Sequence, residues 1–419
     1  MNPNWYLIAI MTILAGEWLL RTIVDILNMH HVTPELPAEF EGIYDAEKYR
    51  KSQEYLRENT RFDLRMDALM TVGTIAFILL GGFNMTDRIA RGLGFGELIT
   101  GLVFAGILLL ISQVVHIPFS VYETFVIEEK YGYNRTTART YVLDLIKVWI
   151  LTGVIGGPVL AAVLWFFANA GAFAWLYCWV AVTAFQLFAA FVFPVVIMPL
   201  FNKFVPLPEG ELRTAIETYA NSQAFTMKGV FSMDGSKRSS KSNAFFTGLG
   251  RFRRLVLLDT LISRHTTPEL VAVIAHEMGH FKKKHVLLQL LLAVGISGLS
   301  FFLLSFFLNN RGLFSAFRMD HLSIYAGLIF FGFLYSPIMT LISVLSSALS
   351  RHWEYAADAY AVSSYGDGEA LTSALKKLSV DNLSNLTPHP LKVIMDYSHP
   401  PILERLRFIA DRITHPSRT

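Results

Sequence analysis

Long apolar runs alternate with polar segments along almost the whole chain. A hydrocarbon core about 30 Å thick takes about 20 mostly apolar residues in helix. Seven runs meet that length, near 5–27, 67–83, 98–119, 148–168, 174–200, 286–308 and 324–347. The run at 67–83 is the shortest. The first carries Glu17 and Arg21, which share a helical face at a spacing of four and predict an ion pair inside the membrane. The pattern therefore predicts an all-α membrane protein of seven spans with two polar insertions. It divides into spans one to five with their loops (1–200), a polar insertion (201–285), spans six and seven (286–347) and a polar C-terminal part (348–419). In the first insertion, Glu211–Ala220 reads as an amphipathic helix. Short β-prone runs at Val230–Met233, Asn243–Thr247 and Arg254–Leu258, with turns at Asp234–Gly235 and 248–250, predict a small antiparallel sheet. Thr267 as N-cap and Pro268 as first helical residue predict a helix through the 270s. A further helix is expected over 350–366, ending at Gly366.

Composition supports the membrane reading. Of 419 residues, 53% are hydrophobic and only 16% charged, against about 25% charged in ordinary soluble domains. The net charge of +3 implies no global attraction to nucleic acid. Lys and Arg are distributed unevenly among the loops. None precedes the first span, six lie between the first two, two in the next loop, four over 120–147, none near 169–173, thirteen over 201–285 and two near 309–323. This alternation predicts the N-terminus outside or lumenal and the C-terminus cytosolic, in a bacterial inner membrane or an endoplasmic reticulum membrane depending on source. The first run lacks a basic leader and a clear cleavage site, and reads as a retained span. With Cys178 as the single cysteine, neither a disulfide framework nor a thiolate metal site can be built.

Any metal must then be held by histidines and carboxylates, and His276-Glu277-Met278-Gly279-His280 offers them. Two histidines four apart on a helix can reach one ion, and Glu277 can take a proton from a water at its open position. One Zn²⁺ per chain is expected. Gly279 and Ala275 leave room beside the ligands. Glu354-Tyr355-Ala356-Ala357-Asp358 supplies two carboxylates on one helical face. Glu354 is expected on the metal, and Asp358 on the free N–H of a ligating histidine. The plainer reading is a solvated helix with unrelated histidines and acids. Finding both motifs in one chain favours the metal. The remaining histidines show no such pattern, and His285, after three lysines, reads as interfacial.

Several long motifs in a fixed order resemble the CAAX prenyl protease 1 family of integral membrane zinc endopeptidases. They are FVIEEKYGYNRTTARTYVLDLIK (125–147), PLFNKFVPLPEGELR (199–213), MDGSKRSSKSNAFFTGLGRFRRLVLLDTLI (233–262), HEMGH, EYAAD and YSHPPILERL (397–406). The resemblance implies seven helices around a large internal chamber, with a peptide or protein substrate lying along a sheet edge beside the zinc. It implies that Asn243 bonds the substrate backbone, that His399 stabilises the oxyanion and that Arg405 orients the site. The implied reaction removes three residues from a C-terminus whose Cys is prenylated, within the lipid bilayer. Four other readings are weighed against it. A quality-control protease of the heat-shock HtpX type would have a shorter chain with fewer spans. A site-2-type protease would place HExxH inside a span. A transporter or an inactive scaffold would leave the paired motifs unexplained.

Overall fold

The computed structural model describes residues 4–33, 35–248 and 253–415. Among the described residues, six helices are long and apolar enough to cross a membrane: α1 (Trp5–His31), α4 (Glu97–Tyr131), α5 (Ala138–Asn169), α6 (Gly171–Phe201), α9 (His285–Ser305) and α10 (Ile324–Tyr365). A seventh candidate crossing is bent. α2 (Ala46–Leu79) and α3 (Gly82–Gly92) meet at 64° and qualify only together. Gly81, with φ of 76°, makes that corner in a backbone region open to glycine. This explains the short run at 67–83: α2 begins well before its apolar stretch, and α3 turns off its end.

The expected loop over 120–147 is largely helix. α4 continues past its apolar stretch through a π turn at Glu123–Glu128, and only residues 132–137 separate it from α5. π turns also interrupt α5 at Thr152–Gly156 and α6 at Phe193–Ile197. Pro158 and Pro199 lack the N–H that would reach back four residues into those turns, so the widened turn absorbs the missing bond. The expected Glu17–Arg21 pair is not formed: Glu17 Oε1 is buried without a hydrogen-bond partner.

The apolar stretches of the crossing helices bury little against one another, between 0% and 17% of each. Few residues of these stretches are therefore hidden inside the protein. The densest packing lies elsewhere, between the sheet and the helices around it. That sheet comprises β1 (Phe204–Pro206), β2 (Gly229–Met233), β3 (Ala244–Thr247) and β4 (Arg254–Leu258), in the order β1-β2-β4-β3. It is mixed rather than antiparallel. β1–β2 and β3–β4 are antiparallel, but β2 and β4 run parallel, with Phe231 opposite Val256. The stretch between them is long enough for a crossover, and β4 slots between β2 and β3. Sequence patterning also missed β1. Of the expected turn at 248–250, only Gly248 lies within the described residues.

Leu255 and Leu257 of β4 are fully buried and face a core closed by α7 (Glu211–Ser222), α8 (Thr267–Lys282), α10 and α11 (Gly368–Asp381), while Val256, also buried, points to the opposite face of the sheet. Each such aliphatic side chain contributes about 1.5–3 kcal/mol. α8 starts one residue earlier than expected. Thr266, not Thr267, is the N-cap, and Pro268 sits second. The reason is Glu269, three residues after Thr266: its Oε2 accepts from the Thr266 N–H at 2.8 Å and closes a capping box. α10 does not stop at the end of its apolar run. It continues without a break to Tyr365, so one rigid helix joins the membrane part to the segment carrying Glu354 and Asp358. α12 (Pro390–Asp396) and α13 (Ile402–Thr414) finish the chain.

Candidate metal centre

α8 and α10 cross at their small residues. A Cβ on Gly279 would lie 3.0 Å from Ala357 Cα and 3.1 Å from its carbonyl oxygen. Only glycine permits this approach, because the opposing atoms are backbone and cannot move aside. The close crossing brings the two motifs together. His276 Nε2 lies 3.2 Å from His280 Nε2 and 3.4 Å from Glu354 Oε2, and His280 Nε2 lies 3.2 Å from Glu354 Oε1. Two histidines and one carboxylate thus offer ligand atoms within 4.8 Å of one another.

These spacings fit a tetrahedral ion. Ligand arms of about 2.0–2.1 Å at tetrahedral angles put ligand atoms about 3.3 Å apart. Glu354 is only 3% exposed, and its Oε2 is buried with no hydrogen-bond partner. Such an orphaned carboxylate oxygen is costly unless something positive completes it.

The surroundings fix the imidazoles. His276 Nδ1 lies 2.8 Å from Asp358 Oδ1, which keeps a hydrogen on Nδ1 and turns Nε2 toward the cluster. Asp358 is fully buried and held from behind by Arg405, whose Nε and Nη2 donate at 2.9 and 2.7 Å. Arg405 Nη1 also reaches Glu354 Oε2 at 3.5 Å. Burial opposes charge on both His276 and Arg405. Asp358 overrides it, raising the imidazole to about 9 and the guanidinium above its usual range. Glu277 faces the same cluster, and burial raises its carboxyl against the pull of His276 and His280. That is the direction a proton-transferring carboxylate needs near neutral pH.

His399 lies against the cluster on the segment after α12. Its Nε2 is 3.3 Å from Glu354 Oε1, and Ser398 Oγ is 3.0 Å from its Nδ1. The side chain is partly open to solvent, and the protein around its remainder disfavours the charged ring and lowers its pKa. Arg351 Nη1 pins the segment by donating to the carbonyls of Val393 and Tyr397 at 3.0 and 2.6 Å. Asn243 stands at the head of β3, an edge strand paired on one side only. Its side-chain oxygen accepts from Ala244 N–H at 2.8 Å, leaving the amide NH₂ as the free end. The residues before it are clamped. Asn382 bonds both backbone groups of Ser242, and Lys241 Nζ sits 4.9 Å over the Tyr133 ring and 3.2 Å from Glu128.

Sequence reasoning missed one neighbour entirely. His285 is buried, not interfacial: its Nδ1 is 3.0 Å from His280 Nδ1, and its ring stacks on Trp353 with centroids 5.1 Å apart. Five residues from His280, it shares no helical face with it. The chain reverses at Lys284, which adopts φ of 60° between α8 and α9. Nothing in the spacing signals that turn.

Comparison with known proteins sets this site in a family. Residues 25–203 match the family described as CAAX prenyl protease N-terminal, five membrane helices, and residues 206–413 match peptidase family M48. A CAAX prenyl protease 1 homolog from Oryza sativa is 34% identical over 97% of both chains. The chain belongs to the CAAX prenyl protease 1 family. The Homo sapiens homolog is 32% identical over 93% of this chain and 91% of its own. The crystal structure of S. mikatae Ste24p superposes with a TM-score of 0.92 at 32% identity, covering 98% of this chain and 99% of that one. The chain is therefore an integral multi-pass membrane metalloendopeptidase of this family, acting on peptides or proteins.

Proposed function

We propose that this enzyme is a zinc peptidase cutting a prenylated C-terminus. The observation that carries the reading is the closed His276–His280–Glu354 set, in which Glu354 Oε2 is buried without a hydrogen bond. His276, His280 and Glu354 hold one Zn²⁺, Asp358 fixes the His276 tautomer, and Arg405 keeps Asp358 ionised and in place. Zinc, when bound, polarises the scissile carbonyl and acidifies a water. Glu277 takes the proton of the attacking water and passes it to the leaving amine. Ser398 donating to Nδ1 of His399 puts that ring's hydrogen on Nε2, so a neutral His399 still donates to the carbonyl oxygen as negative charge builds there. The free edge of β3 and the Asn243 amide receive the substrate as an added strand.

On this reading, residues 1–200 and 286–347 form the membrane part, while 201–285 and 348–419 form the zinc-bearing part. Loop charge puts that part and the C-terminus in the cytosol and the N-terminus outside or in the lumen. The family relation supports a substrate prenylated at the Cys before the scissile bond, with release of the three residues beyond it. The test combines metal analysis with cleavage of a farnesylated CaaX peptide, with and without chelator. We expect about one zinc per chain, activity lost with chelator and restored by zinc, and a Glu277→Ala variant that keeps its zinc but not its activity. Zinc-independent cleavage, or undiminished activity in that variant, would sink the reading.

A further inference from the structure

α9 packs chiefly on α6 and touches α10 only sparsely. Two cavities adjoin along that seam, of about 670 and 340 Å³, sharing Leu292, Ile296 and Trp353. The larger is apolar, with Leu288, Leu292, Leu299, Ile342, Leu349 and Trp353 on its walls. The smaller carries Ser343, Ser346, Ser347 and Ser350 of α10 among apolar neighbours and reaches Ser398, next to His399. The seam thus runs from an apolar mouth between two membrane helices to the edge of the metal centre. Its inner end is Trp353, next in sequence to Glu354 and stacked on His285.

We infer that this seam is the slot in which the substrate's hydrocarbon chain lies while its peptide occupies the metal centre. The inference rests on the reading that the lipid is carried by the residue before the scissile bond. A lipid so attached must start within a side chain's length of the metal. The seam begins there, and from Trp353 to Ile342 it extends eleven residues along α10, about 16 Å. A chain of about a dozen carbons with bonds near 1.5 Å spans a similar length. The lining of its larger cavity is mainly aliphatic, which suits a hydrocarbon. The other large cavities fail on place or chemistry. An apolar cavity of about 840 Å³ is lined by Phe77, Leu108, Ile329 and Phe333. Ile329 is twenty-five residues before Glu354 on the same helix, about 37 Å away, beyond reach of a lipid beside the cut. A cavity of about 1010 Å³ contains Lys283, Asp367, Glu369 and Arg412, which would disfavour a hydrocarbon.

Gly295 lies on the slot wall, and a Cβ there meets nothing within 4 Å. Bulk added at this position enters the slot instead of the packed protein. The experiment compares kcat/KM for a farnesylated peptide and its unlipidated counterpart in wild type, Gly295→Phe and Leu341→Phe. The last places the same side chain at an exposed position of α10 outside the slot. Gly295→Phe is expected to lower the farnesyl preference at least tenfold at unchanged zinc content, and Leu341→Phe is expected to keep it. Full preference in Gly295→Phe, or equal loss in both variants, would overturn the slot. A wild type with no farnesyl preference would instead overturn the substrate reading. Photocrosslinking supplies a measurement on the unaltered enzyme. A farnesyl analogue with a photoreactive terminus should label α9 near 292–299 and α10 near 342–349, and labelling confined to other helices would refute the assignment.

Discussion

α10 has two seams that differ in kind. Against α8 it is packed so closely that a single methyl group has no room, and that seam sets three ligand atoms about one point. Against α9 it is barely in contact, and cavities fill the space. Both seams meet at neighbouring residues, Trp353 and Glu354. The contrast teaches that rigidity is concentrated where geometry must hold an ion, while a few ångströms away the same helix leaves space. Ligand atoms tolerate little displacement, so the first seam is built from small residues and buried charge.

The largest effect should come from closing the gap that α8 and α10 do not have. Gly279→Ala puts a Cβ 3.0 Å from Ala357 Cα, and backbone faces it, so the helices must part by tenths of an ångström. We expect zinc affinity to fall about a hundredfold, near 3 kcal/mol, in line with losses seen when the supports of metal ligands are disturbed. Competition with a chromogenic chelator measures it. Unchanged affinity would mean that the crossing is not what sets the ligand spacing.

The next effect tests how α8 is anchored at its start. Glu269 is 4% exposed and accepts from Thr266 N–H, Ser373 and Lys377. Burial opposes its ionisation, but Lys377 and Ser373 prevail and hold its pKa down to about 2. A carboxyl whose folded pKa is lowered contributes stability above its unfolded pKa and loses it as pH falls through the folded value. The contribution, about 2 kcal/mol after discounting for partial exposure of Lys377, is therefore whole at pH 7. It declines from about pH 4.5 to about pH 2. Glu269→Gln should lower the melting temperature at pH 7 and flatten its fall across that acid window. A variant as acid-sensitive as wild type would exclude Glu269 as the source.

Much of this was legible in the sequence. Seven apolar runs, HEMGH and EYAAD rest on period and spacing within single helices, and such local patterns survive folding. His276, His280, Glu354, Asp358 and Arg405 lie in one cluster. Features set by tertiary contacts were not legible. The parallel pairing of β2 with β4 depends on which strand slots between which. The 64° bend after α2 depends on Gly81, and the extension of α10 past its apolar run has no hydropathy signal. The capping box at Thr266 was readable from Thr-x-x-Glu, but Pro268 drew attention one residue too far.

His285 belongs to that illegible set, and it links the two seams. With His280 Nε2 directed at the cluster, His280 Nδ1 carries hydrogen and donates to His285 Nδ1, while Trp353 covers the His285 ring. His285→Phe keeps a flat ring on Trp353 and removes the acceptor. We expect roughly tenfold weaker zinc binding, about 1.4 kcal/mol, from a less firmly oriented His280. His285→Asn, which retains an acceptor, should recover part of it. Equal loss in both would assign His285 to packing alone.

The smallest effect is the most discriminating. Gly295→Ala makes the same chemical change as Gly279→Ala, on the other side of α10. There the new Cβ meets open space. A glycine inside a helix costs backbone entropy that alanine does not, so stability should hold or rise by less than about 1 kcal/mol, and zinc affinity should stay within twofold of wild type. Thermal unfolding and the same chelator competition, run on both alanine variants, read the difference directly. If Gly295→Ala also released zinc, α10 would be transmitting strain from the open seam to the closed one. The two sides of the helix would then have to be treated as a single mechanical unit, with the cavity part of what holds the metal.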